Sequence, residues 1–182
     1  MKKIYNALTL LITSLLIFAC DTEKKVYVIE NKFEAFFPGE PKYIKTVETD
    51  LMKTIYYTYE DEDNLIAYRA DYVELKQARG TNGRDFLISF SEGLVDNFSG
   101  KFLKRDFRER NGYDEVIYTI EYQRDENIAH VNGVTILGGN SLYVWEVIDY
   151  PELSYLHGDA IFEAKLLDVK IVDNNKKKHK RF

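Results

Sequence analysis

The sequence predicts an α+β domain, an antiparallel β-sheet with two packing helices, and three observations predict it. Runs rich in tyrosine, phenylalanine and β-branched residues alternate with polar turns through residues 33–73 and again through 101–148. The apolar period changes from two to between three and four over Arg84–Phe98, and again after Pro151. The order of strands, helix, strands, helix belongs to helices lying on an antiparallel sheet, not to helices alternating through a parallel one.

Each element has its own reason. Phe33–Phe37 alternates as a strand, and Pro38-Gly39-Glu40-Pro41 ends it with a turn. Tyr43–Thr49 is a second strand. Thr54–Tyr59 and Leu65–Val73 form a hairpin around Glu60-Asp61-Glu62-Asp63-Asn64. Phe86, Leu87, Phe90, Leu94 and Phe98 then make one helical stripe, with Asn82 or Thr81 to cap its start and Gly100 to close its end. Strands resume over Lys101–Arg108, Glu115–Tyr122, Asn127–Leu137 and Ser141–Ile148, the Gly138–Leu142 stretch being a turn. Two hairpins with similar acidic turns on either side of a helix hint at pseudo-repetition. Pro151 can open a second helix, because its missing N–H falls in the first turn. Leu153, Leu156, Ala160, Ile161, Ala164 and Leu167 trace the stripe of that helix, which Gly158 weakens, and Val169–Val172 is a short closing strand.

The N-terminus carries a second kind of information. Lys2 and Lys3 precede a run from Ile4 to Ala19 that is largely apolar but shorter than the ~20 residues a spanning helix needs. That is the pattern of a secretory signal peptide over residues 1–19. The only cysteine of the chain, Cys20, follows directly. Ile17-Phe18-Ala19-Cys20 resembles the lipobox of bacterial lipoproteins, departing from its commonest form at Phe18. The resemblance implies a diacylglyceryl group on the Cys20 thiol, cleavage before it, and acylation of the new amine. Residues 20–25 are then anchor and tether, 26–172 a single domain able to fold without its acyl chains, and 173–182 a basic tail. The implied location is the bacterial cell envelope, with membrane lipid as a partner through Cys20.

A second resemblance lies in the domain itself. Phe33 through Pro41, reading F-E-A-F-F-P-G-E-P, is similar to the opening of PsbP-like domains, as is Ser141-Leu142-Tyr143-Val144-Trp145-Glu146-Val147 to their late aromatic strand. Phe162 with Leu166-Leu167-Asp168-Val169 matches their terminal helix and closing segment. The resemblance implies a PsbP-like sandwich and a helper role rather than a reaction. A cystatin-like or other helix-on-sheet fold fits the same periodicities.

Charge and composition narrow the function. Residues 21–175 hold 18 basic and 30 acidic side chains, a body that repels nucleic-acid phosphates, so no nucleic acid is expected as partner. One cysteine excludes a disulfide scaffold and a thiolate metal cluster. His130, His157 and His179 lack metal-ligand spacing, and the glycines form no phosphate-cradling loop. Glu60–Asp63 clusters carboxylates without the glycine and distal glutamate of a calcium loop. His130 and Glu121 are placed to be neighbours across the second hairpin. The expectation is a non-enzymatic accessory or protein-binding module without cofactor or metal; the alternative is a small or lipid-like ligand held between sheet and helix. Tyr56, Tyr68, Tyr72, Tyr118, Tyr143 and Trp145 all fall on strands. On an open sheet face they would form a contact surface; on a covered one they pack across strands.

Overall fold

The computed structural model describes residues 26–77, 82–153 and 157–172. The signal peptide, the tether, the basic tail, Thr81 and Leu156 lie outside the described residues. In chain order the elements are β1 (Val26–Ile29), β2 (Phe33–Phe36), β3 (Lys42–Glu48), β4 (Met52–Asp61) and β5 (Ile66–Leu75), then α1 (Gly83–Phe98). They continue with β6 (Lys101–Arg110), β7 (Tyr113–Arg124), β8 (Asn127–Gly138), β9 (Ser141–Asp149), α2 (Gly158–Lys165), a 3-10 turn at Leu166–Asp168 and β10 (Lys170–Ile171).

The larger sheet runs β3-β4-β5-β9-β8-β7-β6, seven strands that are antiparallel throughout. Its two halves are a three-strand meander before α1 and a four-strand meander after it, joined where β5 pairs with β9. The expected α+β class therefore stands. The expected single sheet does not. β1, β2 and β10 form a separate three-stranded sheet laid over one face of the larger one. Phe33, Ala35 and Phe37 point into the core and are fully buried, and the turn at Pro38–Pro41 carries the chain out of that layer before β3 begins.

Because α1 covers one face and the small sheet with α2 the other, the central strands are buried on both sides. Along β9, Leu142 and Val144 pack with Leu87 of α1, while Tyr143, Trp145 and Val147 pack with Phe33, Phe37 and Phe162. Local chemistry sets the helix ends. The Asn82 side chain accepts from the Asp85 N–H at 2.8 Å, as expected of a cap. At the other end Ser99, not Gly100, takes the left-handed conformation, with φ 51°. Gly100 is needed for a different reason: a Cβ there would lie 2.6 Å from the Glu121 carbonyl oxygen.

The second helix is shorter than its apolar stripe suggests. Pro151 begins a turn, Leu153 is exposed, and Leu167 falls in the 3-10 turn with its side chain in solvent. Phe162 alone carries the deep burial, stacked on Trp145 with ring centroids 5.4 Å apart. Gly158 opens the helix because its N–H donates to Asp149 Oδ2 at 3.0 Å, a contact so close that a Cβ would meet the Asp149 carboxylate at 2.6 Å.

Candidate functional site

Cys20 and the residues before it, Ile17, Phe18 and Ala19, lie outside the described residues. Of the six strand aromatics, Tyr68, Tyr72, Tyr118, Tyr143 and Trp145 are buried, and Tyr56 alone is partly exposed. An exposed aromatic sheet face is thereby corrected for those five. Their strands β5, β7 and β9 lie inside the sheet, and both faces are covered. The packing alternative describes them: Tyr72 meets Tyr143 and Tyr68 meets Phe36, while the Trp145 indole N–H donates to the Phe36 carbonyl at 2.9 Å.

Beneath Tyr56, on the α1 side of the sheet, sits a charged network that sequence reasoning did not single out. Three strands in register bring Tyr118, Gly133 and Glu146 side by side, and β5 adds Arg69 opposite Glu146. Arg69 pairs with Asp71 through two guanidinium nitrogens, and its Nη1 lies 3.5 Å from Glu146 Oε2. Tyr118 donates to Glu146 Oε1 at 2.7 Å. Both carboxylates are buried, so one guanidinium serves two acids in a low-dielectric setting. Burial pushes the Asp71 carboxyl up to about 6, against the opposing pull of Arg69. Burial and the neighbouring Glu146 push the Tyr118 phenol well above its ordinary value. Tyr56 lies over Arg69 at 5.3 Å, and Lys45 lies over the same ring at 5.5 Å, closing the network toward solvent.

The opposite face holds His130. Its register partners are Glu121 on β7 and Asp149 on β9, so the structure brings together the expected histidine–glutamate pair and adds a second acid. His130 Nε2 is 3.6 Å from Glu121 Oε2, longer than a hydrogen bond. Glu121 is also held by Lys101, 2.8 Å away, which keeps its carboxyl below the usual range. Burial raises the Asp149 carboxyl. His130 lines a cleft of about 220 Å³ between α2 and β6–β8, with Thr119 and Asn132 at its polar end and Leu103, Ile117 and Phe162 as apolar wall. Thr119 donates to Asn132 Oδ1 at 2.9 Å. The Lys104–Glu163 pair, 3.7 Å apart, spans from β6 to α2 beside it.

The acidic turn has a local role. Asp61 accepts from both the backbone N–H and the side-chain amide of Asn64, at 3.2 and 2.9 Å, which ties the β4–β5 turn. Among the described residues no three His, Cys, Asp or Glu side chains converge as metal ligands. The buried acids could have been suspected from one signal. Arg69, Arg108 and Arg110 stand in strand runs, where a buried carboxylate needs such a partner.

No family model matches the chain, and no curated protein does. Solved structures do. Protein PA94 of unknown function from Pseudomonas aeruginosa is 12% identical, with a TM-score of 0.46 over 77% of this chain and 92% of that one. Cyanobacterial PsbP (CyanoP) from Synechocystis sp. PCC 6803 is 8% identical, with a TM-score of 0.56 over 81% of this chain and 91% of that one. At that identity the likeness speaks for architecture alone, and in architecture the chain is similar to cyanobacterial PsbP: an α+β fold of antiparallel sheets with two helices.

Proposed function

We propose that the protein is a lipid-anchored accessory module of the bacterial cell envelope that works by binding another protein rather than by catalysis. The observation that carries this reading is the open edge of the larger sheet. All seven residues of β3 are exposed, and Tyr43, Ile44 and Val47, with Leu51 and Met52 beyond them, leave apolar surface in solvent. An edge strand offers unpaired backbone groups to an incoming strand, with side-chain pockets adding specificity. The bulge at Ile44 and the charges of Lys42 and Lys45 work against flat pairing of edges between copies.

A chain held at Cys20 by two or three acyl groups is durably attached to the membrane. The fold shared with cyanobacterial PsbP is consistent with a helper role. A second reading, a small or lipid-like ligand between sheet and helix, draws support from the cleft beside His130.

The test is a photo-crosslinking amino acid at Ile44 or Leu51 of the full-length protein in its native membranes. The reading expects a discrete protein adduct from both positions, reduced in Cys20→Ser and missing from a probe at Glu109 on β6. Equal adducts from Glu109, or none from Ile44 and Leu51, reject it.

A further inference from the structure

We infer that the cavity between the β6–β7 hairpin and β10 is a binding site for a small organic oxyanion, a carboxylate or phosphate monoester on a short apolar stem. The cavity measures about 340 Å³, at the lower end of the roughly 300–1,000 Å³ typical of small-molecule sites. Its polar lining is Arg110, Asn111, Tyr113 and Lys170: two cations, an amide and a phenol, with no carboxylate. In a body with 30 acids and 18 bases over residues 21–175, a concave site whose charged lining is all cationic runs against the overall field.

The local charge count points the same way. Glu115 is fully buried and pairs with both Arg108 and Arg110, so one carboxylate answers two guanidiniums. Lys170 adds a further positive charge to a lining that holds no carboxylate. Arg110 is also held in place. Its Nε lies 2.8 Å from Glu115 Oε2 and its Nη1 donates to the Leu166 carbonyl at 3.0 Å. Its Nη2 is shielded from water and has no hydrogen-bond partner among the described residues. That atom is out of reach of a cavity ligand; what Arg110 offers the cavity is a positive charge held in a fixed place, which favours an anionic occupant. Ile136, Val169 and Ile171 supply the apolar wall for the stem. Gly138 keeps this wall open, since a Cβ there would press Ile171 at 3.1 Å and Tyr143 at 3.0 Å.

The experiment is an NMR titration of the full-length protein in uncharged detergent, with four probes that share one stem: butyrate, butyl phosphate, butanol and butylammonium. The Ile136 and Ile171 methyl signals and the Arg110 Nε–H should move with the two anions and not with the alcohol or the amine. Lys170 is exposed, so Lys170→Gln leaves the fold intact and should weaken anion binding roughly two- to fivefold, the size of one exposed charge contact. Arg110→Gln removes the fixed charge and should weaken it by roughly tenfold. If that variant fails to fold, Lys170→Gln and the matched probes still decide. Dihexanoyl phosphatidate separates the sources. Tighter binding than butyl phosphate assigns a lipid headgroup, weaker binding a free metabolite, and both support an oxyanion site. Equal shifts with butanol or butylammonium, no shift with either anion, or unchanged anion affinity in Lys170→Gln overturns the inference.

Discussion

The Tyr118 hydroxyl crosses a whole strand to reach Glu146, donating to Oε1 at 2.7 Å while its ring lies over Gly133 of the strand between them. The register makes this possible. Tyr118, Gly133 and Glu146 are consecutive partners on β7, β8 and β9, and only a residue without a side chain lets the ring pass. A Cβ at position 133 would sit 2.4 Å from the ring.

Gly133→Ala is therefore expected to displace the ring and break the bond to Glu146. Overpacking and a stranded buried carboxylate oxygen together cost roughly 2–4 kcal/mol. Tyr118→Phe keeps the ring and removes only the donor, at about 1–3 kcal/mol. Urea unfolding of both variants checks the order. A Gly133→Ala protein as stable as wild type would show that the ring does not lie there.

The same network predicts a pH dependence. Asp71 has its carboxyl raised from the ordinary 3.8 to about 6 by burial. A raised folded-state value means that the fold binds the proton more tightly than the unfolded chain does. The contribution of Asp71 to stability is thus fully present below about pH 4 and lost as pH climbs through 6. Glu48 and Glu121, lowered by Lys76 and Lys101, act in the opposite sense and lose their contribution at more acidic pH. To isolate Asp71, the stability of wild type minus that of Asp71→Asn should fall between roughly pH 4 and 6. A difference that grows with pH across that window contradicts the assignment.

How far the sequence carried the fold depends on what alternation can say. Aromatic and β-branched runs between polar turns identified every strand of the larger sheet, and the three-to-four period identified α1 with its Asn82 cap. Alternation tells which side chains share a face, but not whether another layer covers that face. Tyr68, Tyr118, Tyr143 and Trp145 suit cross-strand packing or an open face, and the small sheet and α1 decide for packing. β1 escaped notice because four residues beside a polar tether give too short a pattern. The strands expected over Lys101–Arg108 and Glu115–Tyr122 run on to Arg110 and start at Tyr113, because Asn111-Gly112 makes a tight hairpin turn between them. Both residues have positive φ, 57° and 83°, as an Asn-Gly pair in a tight hairpin turn should. At His130 the pairing with Glu121 followed from hairpin register, whereas Asp149 came from a strand whose neighbour could not be known in advance. The cationic cavity was beyond reach for the same reason: Arg110 and Lys170 are 60 positions apart and meet only through β10.

Lipidation is testable apart from the fold. A fatty-acid probe fed to cells making the full-length chain should label wild type and leave Cys20→Ser unlabelled, since Cys20 is the only thiol. Equal labelling of both removes the anchor from the functional reading.

The final prediction uses the one tryptophan of the chain as its own reporter. Trp145 is fully buried, its ring nearly parallel to Phe162 at 15° and its N–H bound to the Phe36 carbonyl. It thus joins α2, the larger sheet and the small sheet at one point. Phe162 is the deeply buried apolar side chain of α2, so the docking of that helix rests largely on this contact. Truncation to alanine removes the stacked ring and opens a gap against the indole, at a cost of about 3–5 kcal/mol. Phe162→Leu keeps most of the buried area and should cost less. Water reaching the vacated site should shift the Trp145 emission to longer wavelength in Phe162→Ala and hardly at all in Phe162→Leu. If instead α2 simply detached, Asp149 would lose its Gly158 donor as well, and the alanine variant would lose stability at neutral pH with no graded response between the two substitutions. Emission and unfolding midpoint measured on the same samples separate a local gap from loss of the helix. An unshifted emission with full stability in Phe162→Ala would mean that α2 is held by something other than this stack.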